Sequence, residues 1–363
     1  MRHYNIPIFI PHQGCPFQCV YCDQKIIASK HEAPTLLEVS ETIERHLATI
    51  PSEDTEVEIA YFGGSFTAIA SEVQETYLQA AAPYLEDERV VGIRLSTRPD
   101  CIDRDILGRL DRYGVKTIEL GVQSLDDQVL KMSGRGYTSD DVFKACQVIK
   151  DQGFKLGIQL MIGLPGDDRA RDMQTTKLAI GLNPDMVRIY PTVVIAGTVL
   201  ERALNRGDYV PLELNEAVGI CKDMYLRFAA AEIPVIRMGL QTGEELRREG
   251  SVLAGPFHPS FGELVQQEIF CDQARSLLGD YMRRNGLQAE LQLWVNPRDL
   301  SLLTGQQRRN VLFLTEHFGM RSILIKTRSD IERLTIGISQ PHGLEVDTFL
   351  KRQEMLERIQ DEP

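Results

Sequence analysis

Cys15, Cys19 and Cys22 fall within eight residues, in the stretch HQGCPFQCVYCDQ of a 363-residue chain. Three thiols so close together suit a metal or a cluster. A closed structural zinc site, however, takes four ligands, usually from two Cys-x-x-Cys pairs. Only Cys19 and Cys22 form such a pair, and the seven histidines are scattered. Electron-transfer iron–sulfur proteins use four cysteines per cluster. Three leave one iron of a four-iron cluster without a protein ligand, and an open position is what a catalytic metal keeps for its substrate. Two other classes compete: a structural or electron-transfer centre completed by Cys101, Cys146, Cys221 or Cys271, and a non-catalytic binding module.

The elements that must position these thiols are legible as short apolar runs alternating with helical patterns. Strands are expected at 4–10, 57–63, 91–97, 116–122, 154–162 and 185–191. Helices are expected between them at 35–50, 71–85, 103–114 and 139–153; in the third, Ile106, Leu107 and Leu110 recur at helical spacing before Gly114. Strands separated by helices make a parallel sheet. The expected fold is α/β, a partial TIM-type (β/α)6 barrel over residues 1–240. A C-terminal extension over 241–363 carries a small α/β appendage, with strands at 289–295, 321–327 and 332–338 and a helix at 305–319. In such barrels the chemistry sits in loops leaving the C-terminal strand ends. The cysteines follow the first strand directly. Gly63, Gly64 and Ser65 end the second, Ser96 and Arg98 the third, Gln123 and Ser124 the fourth, Gln159, Met161 and Gly163 the fifth.

Composition narrows the class. Seven cysteines, four of them far apart, do not make a disulfide framework. No run approaches the roughly 18–20 apolar residues of a membrane span, and the N-terminus does not read as a signal peptide, so a cytoplasmic protein without membrane attachment is expected. A net charge of −12 argues against a surface that coats nucleic acid throughout. Residues 276–363 are neutral, with twelve Lys/Arg against twelve Asp/Glu. There Arg308, Arg309, Arg321, Lys326 and Arg328 read either as a phosphate-binding face or as a solvated surface, and Trp294 as core.

Cys-x-x-x-Cys-x-x-Cys with Tyr21 before the third cysteine resembles the signature of the radical S-adenosylmethionine (radical SAM) enzymes. The resemblance implies a 4Fe–4S cluster on Cys15, Cys19 and Cys22, whose open iron chelates S-adenosylmethionine. It implies reductive cleavage to a 5′-deoxyadenosyl radical, and an electron donor such as ferredoxin or flavodoxin. Gly63, Gly64 and Ser65 stand where the family has its Gly-Gly-Glu type motif, with serine in the acidic position. Ser96, Arg98, Gln123 and Ser124 match positions for ribose hydroxyls or the methionine carboxylate, and Arg135 matches a bidentate carboxylate partner. Gln159, Met161 and Gly163 match the ribose and adenine region, although Met161 also reads as plain core.

Within the superfamily, STRPD (96–100), IELGVQS (118–124), SGRGYT (133–138) and IYPTVVIAGTVLE (189–201) resemble the radical domain of the Elongator catalytic subunit, a wobble-uridine tRNA-modifying enzyme. The likeness covers residues 1 to about 275. The cysteine spacing here is the more compact one, and no glycine-rich acetyl-CoA loop follows residue 275. The resemblance therefore implies an Elongator-like radical enzyme without the acetyltransferase domain, acting on RNA, tRNA in particular. The alternative is small-molecule chemistry of the oxygen-independent coproporphyrinogen oxidase kind. No catalytic residue beyond the cofactor set is indicated.

Overall fold

The computed structural model describes residues 2–11, 15, 17–23, 32–241 and 243–360. Six strands appear where the apolar runs predict them: β1 (Arg2–Ile10), β2 (Thr55–Gly63), β3 (Val90–Thr97), β4 (Val115–Gln123), β5 (Lys155–Ile162) and β6 (Met186–Pro191). A two-residue strand, β7 (Val194–Ile195), follows, and then β8 (Val235–Met238), which the sequence reading did not resolve as a strand. Strands β1 to β6 and β8 form one parallel sheet in the order β1-β2-β3-β4-β5-β6-β8. The architecture is the expected α/β partial barrel, with seven strands instead of six.

Parallel strands covered on both faces need near-continuous apolar sequence, as in β5, KLGIQLMI, where Leu156, Leu160 and Ile162 are fully buried. The crossover helices carry amphipathic stripes and local caps. Helix Leu36–Leu47 begins in a capping box between Thr35 and Glu38, and helix Arg104–Arg112 is capped by Asp103 and buries Leu107 and Leu110. Register brings the strand ends to one level: Ile10 pairs with Gly63, Thr97 with Leu120, Gln123 with Leu160 and Ile162 with Pro191. The loops that follow these pairs therefore rise from a common edge.

Two compact units divide the chain, and the division differs from a cut at residue 240. The first comprises residues 1–214 and 233–259, the second 215–232 and 260–363. Helix Leu214–Ala230 thus groups, apart from its first residue, with the C-terminal segment, while β8 returns to the barrel sheet. Within the first unit, β7 pairs antiparallel with β9 (Val252–Ala254). The second unit packs helix Phe261–Asn285 on the sheet β11-β10-β12-β13: β10 (Glu290–Val295), β11 (Ser322–Thr327), β12 (Thr335–Ser339) and β13 (Thr348–Lys351). Phe270, Leu277, Leu278, Leu291, Leu293 and Ile338 form its core. Of the basic residues read either as a phosphate-binding face or as a solvated surface, Arg309 pairs with Glu268 and Arg328 with Asp330, and Trp294 is buried with its Nε1 donating to Ser339 Oγ. No helix among the described residues is long and apolar enough to cross a membrane.

Candidate active site

The common edge of the barrel opens on a cavity of about 660 Å³, within the ~300–1,000 Å³ of small-molecule and cofactor sites. Cys15, Cys19 and Cys22 all line it. Cys15 is exposed, Cys19 buried and Cys22 partly buried. Their loop is fixed by its own backbone. Cys22 N donates to Cys19 O, Val20 N to Ser133 O, and Leu200 N to Val20 O. Tyr21 packs with Cys19, Val129, Met161 and Leu200 beneath the loop. Burial and the neighbouring thiols Cys19 and Cys15 push the Cys22 thiol up to about 12. Cys15 is raised by loss of solvent and by Cys19, against the opposing pull of Arg98 and Arg135. Among the described residues, no three His, Cys, Asp or Glu side chains are gathered as ligands of one metal ion.

The turn after β2 explains its glycines. Gly63 has φ +117°, and a Cβ there would lie 2.5 Å from Ile10 O, the last carbonyl of β1. Gly64 N donates to that same oxygen at 3.0 Å. The pair therefore closes the seam from which the cysteine loop departs, and both glycines line the cavity. Ser65 does not line it. Fully buried, its Oγ meets Thr97 Oγ1 at 2.9 Å and accepts from Arg98 N at 3.3 Å, tying the end of β2 to that of β3.

Two arginines line the cavity, and their bonding differs. Arg98 is buried under the rings of Phe17 and Tyr137, and donates from Nε and Nη2 to Asp100 at 2.9 Å each. Burial disfavours its charge, but Asp100 more than compensates, so its pKa rises. Its Nη1 is buried with no hydrogen-bond partner. Arg135, expected to fork onto a carboxylate, has every nitrogen occupied. Nε donates to Tyr137 Oη at 2.7 Å, Nη2 to Gly121 O at 2.5 Å, and Nη1 to Cys19 Sγ at 3.0 Å and Tyr21 Oη at 3.2 Å.

Ser96, Gln123, Gln159 and Met161 line the cavity as expected from their places at strand ends. Gln123 sits at a bulge in β4 with φ +68°, and its Oε1 accepts from Gln159 Nε2 at 3.3 Å. A non-glycine residue held in that region is strained, a condition that concentrates at functional sites. Ser124 and Gly163 lie outside the lining. Ser124 bonds Thr175 and the Asp126 amide, and Gly163 O accepts from Tyr209 Oη at 2.7 Å.

The sequence reading missed the cavity floor. Glu119, Arg188, Tyr190, Phe9 and Phe62 also line it. Arg188 donates from Nη2 to Glu119 at 2.9 Å, with its guanidinium 5.2 Å from the Phe62 ring centroid. Below, Arg94 joins Glu119 at 2.6 Å and binds Glu58 as well. Burial alone would raise the Glu58 carboxyl, but His3, Arg94 and Thr117 overcome it and hold the pKa down to about 2. The available signal was a charge inside an otherwise apolar strand, as in TIELG and MVRIY.

The donor set suits two kinds of guest. Three thiols on one cavity, with a buried arginine against the second, suit an anionic thiolate-bound cluster. The unpartnered Arg98 Nη1 and the paired glutamines suit a ligand with a carboxylate and hydroxyl groups.

Comparison with known proteins agrees with this chemistry. The profile of the Radical SAM superfamily matches residues 9–179, and that of the Radical_SAM C-terminal domain residues 184–270. A tRNA uridine(34) acetyltransferase of Methanocaldococcus jannaschii is 33% identical over 184 residues, 45% of this chain and 34% of the relative. Elongator complex protein 3 of Saccharomyces cerevisiae is 31% identical over 203 residues, 50% of this chain and 36% of the relative. The chain thus spans about a third of the length of these relatives. The solved structure of Methanocaldococcus infernus Elp3 with an N-terminus deletion shares the fold at TM-score 0.56 and 24% identity, covering 79% of this chain and 64% of that one. Two profiles of one superfamily that together span most of the chain, and three thiols at the strand-end cavity they imply, lead to one conclusion: the chain belongs to the radical SAM superfamily of enzymes.

Proposed function

We propose that Cys15, Cys19 and Cys22 hold a 4Fe–4S cluster at the cavity, that the cavity takes S-adenosylmethionine, and that the substrate is a tRNA. Cys15, Cys19 and Cys22 would hold the cluster, and the pair of groups would supply one-electron reductive cleavage of the sulfonium and hydrogen-atom abstraction from the substrate. The observation that carries the reading is that the three thiols line one cavity rimmed by strand ends.

The chain's residues divide the binding. Arg98, with a buried and unpartnered Nη1, takes the methionine carboxylate; the charged donor was already ordered by Asp100. Backbone at Gly63 and Gly64 takes the amino group. Ser96, Gln123 and Gln159 take ribose hydroxyls, and Met161 with Tyr190 packs the adenine. Tyr21 lines the cavity beside the cysteines, while Ser65, Ser124 and Gly163 lie behind the lining and tie the strand-end loops together. Phe9, Phe62 and Pro7 exclude water from the space in which a reactive carbon centre would form. The tRNA assignment is supported by what the relatives are named for, and ferredoxin or flavodoxin is the class of electron donor.

Anaerobic reconstitution with iron and sulfide, then chromatography for 5′-deoxyadenosine with S-adenosylmethionine and dithionite, tests the proposal. Product that increases with bulk tRNA is expected. Product indifferent to tRNA removes the RNA assignment and turns the search to small molecules. No product at full iron occupancy removes the radical chemistry.

A further inference from the structure

Arg135 is a buried cation with an unusual set of partners. Only 6% of it is exposed, and it accepts no help from any carboxylate among the described residues; its nitrogens meet two tyrosine hydroxyls, a backbone carbonyl and the Cys19 thiol. A buried charge without a counter-ion is costly unless something anionic compensates it. The neighbouring rings do part of this: the guanidinium lies 4.9 Å from the Tyr137 ring centroid. The fold also invests in placing it. Ser133 O accepts from Val20 N, and Arg135 N donates to Leu130 O, so the turn after helix Asp127–Met132 is bonded directly to the cysteine loop. Gly136 permits the approach, since a Cβ there would lie 2.7 Å from the Phe17 ring.

We infer that Arg135 is the counter-ion and potential-setting residue of the cluster on Cys15, Cys19 and Cys22, acting through an N–H···S bond from Nη1 to the Cys19 sulfur at 3.0 Å. The inference rests on the proposed cluster and goes beyond it. A cluster gains one negative charge on reduction. A fixed positive charge bonded to one of its sulfurs in a low-dielectric surrounding stabilises the reduced form more than the oxidised one, and so raises the reduction potential. Arg135 is thereby a positioning residue for Cys19 and an electrostatic one for the cluster.

The test is a redox titration of reconstituted protein without S-adenosylmethionine, followed by electron paramagnetic resonance. In Arg135→Gln, the reduced-to-oxidised ratio at a fixed potential should fall about tenfold, equivalent to about 59 mV for one electron. Arg135→Lys, which keeps the charge and loses the planar fork, should fall between the two. A variant with full iron and an unchanged midpoint overturns the inference. A change seen only after S-adenosylmethionine is added also overturns it, because that is the signature of a carboxylate partner. Should Arg135→Gln fail to assemble a cluster, wild-type protein labelled with ¹⁵N-arginine decides. Pulsed resonance of the reduced cluster should show a ¹⁵N coupling, and its absence refutes the contact. Wild-type protein that takes up no iron removes the cluster proposal itself, and this inference with it.

Discussion

Replacing Arg94 by methionine tests how the polar floor of the barrel is held. Arg94 bridges Glu58 on β2 and Glu119 on β4, and all three are between 2% and 4% exposed. Methionine keeps most of the volume and removes the shared cation. Removing one partner of a buried ion pair costs about 3–5 kcal/mol. Glu119 retains Arg188, and Glu58 retains His3 and Thr117, which puts the cost near the lower end, about 3 kcal/mol. At about 2–4 °C per kcal/mol for a body of 150–250 residues, the unfolding midpoint should fall by about 6–12 °C. The pH dependence gives a second arm. The folded Glu58 pKa is depressed to about 2, so its stabilisation is fully present above its ordinary pKa of about 4.3 and is lost as pH falls towards 2. The gap between wild type and variant should therefore narrow between pH 6 and pH 3. Calorimetry at several pH values reads both arms, and adding Glu58→Gln should recover part of the loss. A variant within 1 °C of wild type at pH 7, or a gap indifferent to pH, would refute the shared-cation account.

Three further outcomes are expected. Arg98→Gln should weaken S-adenosylmethionine binding to the reconstituted protein by about tenfold to a hundredfold, the value of a hydrogen bond to a charged group, with an unchanged dissociation constant in equilibrium dialysis counting against its carboxylate role. Gly63→Ala forces a Cβ against Ile10 O from a φ of +117° and should open the β1–β2 seam, lowering iron bound per chain after reconstitution; full iron uptake would show that the seam tolerates it. Asp172 is raised by burial and then by Asp167, so it folds as the acid. A raised carboxyl supports the fold at low pH and loses that support as pH rises through the folded value. Asp172→Asn should therefore gain thermal stability over wild type at pH 8 relative to pH 5, and equal gains at both would contradict this.

What could be read in the sequence followed from burial on two faces. β2 to β5 appear as apolar runs because these inner parallel strands bury both sides, β1 and β6 show apolar residues in alternation, and the strand ends mark the site level. VIRM of β8 carries an arginine and is only partly buried, so nothing in its four residues distinguishes a strand from a loop. The assignment of helix 214–230 to the second unit depends on tertiary partners, which local periodicity does not encode. The thiol spacing and the strand-end residues brought the site together, yet the bonding that separates the two arginines was not legible. Which nitrogen is already bonded is decided by Tyr137, Gly121 and Asp100, residues brought close only by folding. Glu119 and Arg188 were visible as charges in apolar strands, but their pairing across β4 and β6 was not.

The most direct test of the central claim is the paramagnetic resonance spectrum of the reduced cluster before and after S-adenosylmethionine, in protein with Cys101, Cys146, Cys221 and Cys271 all replaced by alanine. The account predicts about four irons per chain and a spectrum that changes when the cofactor is added, because one iron lacks a protein ligand. Loss of iron in this variant, or a spectrum indifferent to the cofactor at full iron occupancy, would contradict it: the first would mean that a fourth cysteine completes the site, and the second that the site is closed.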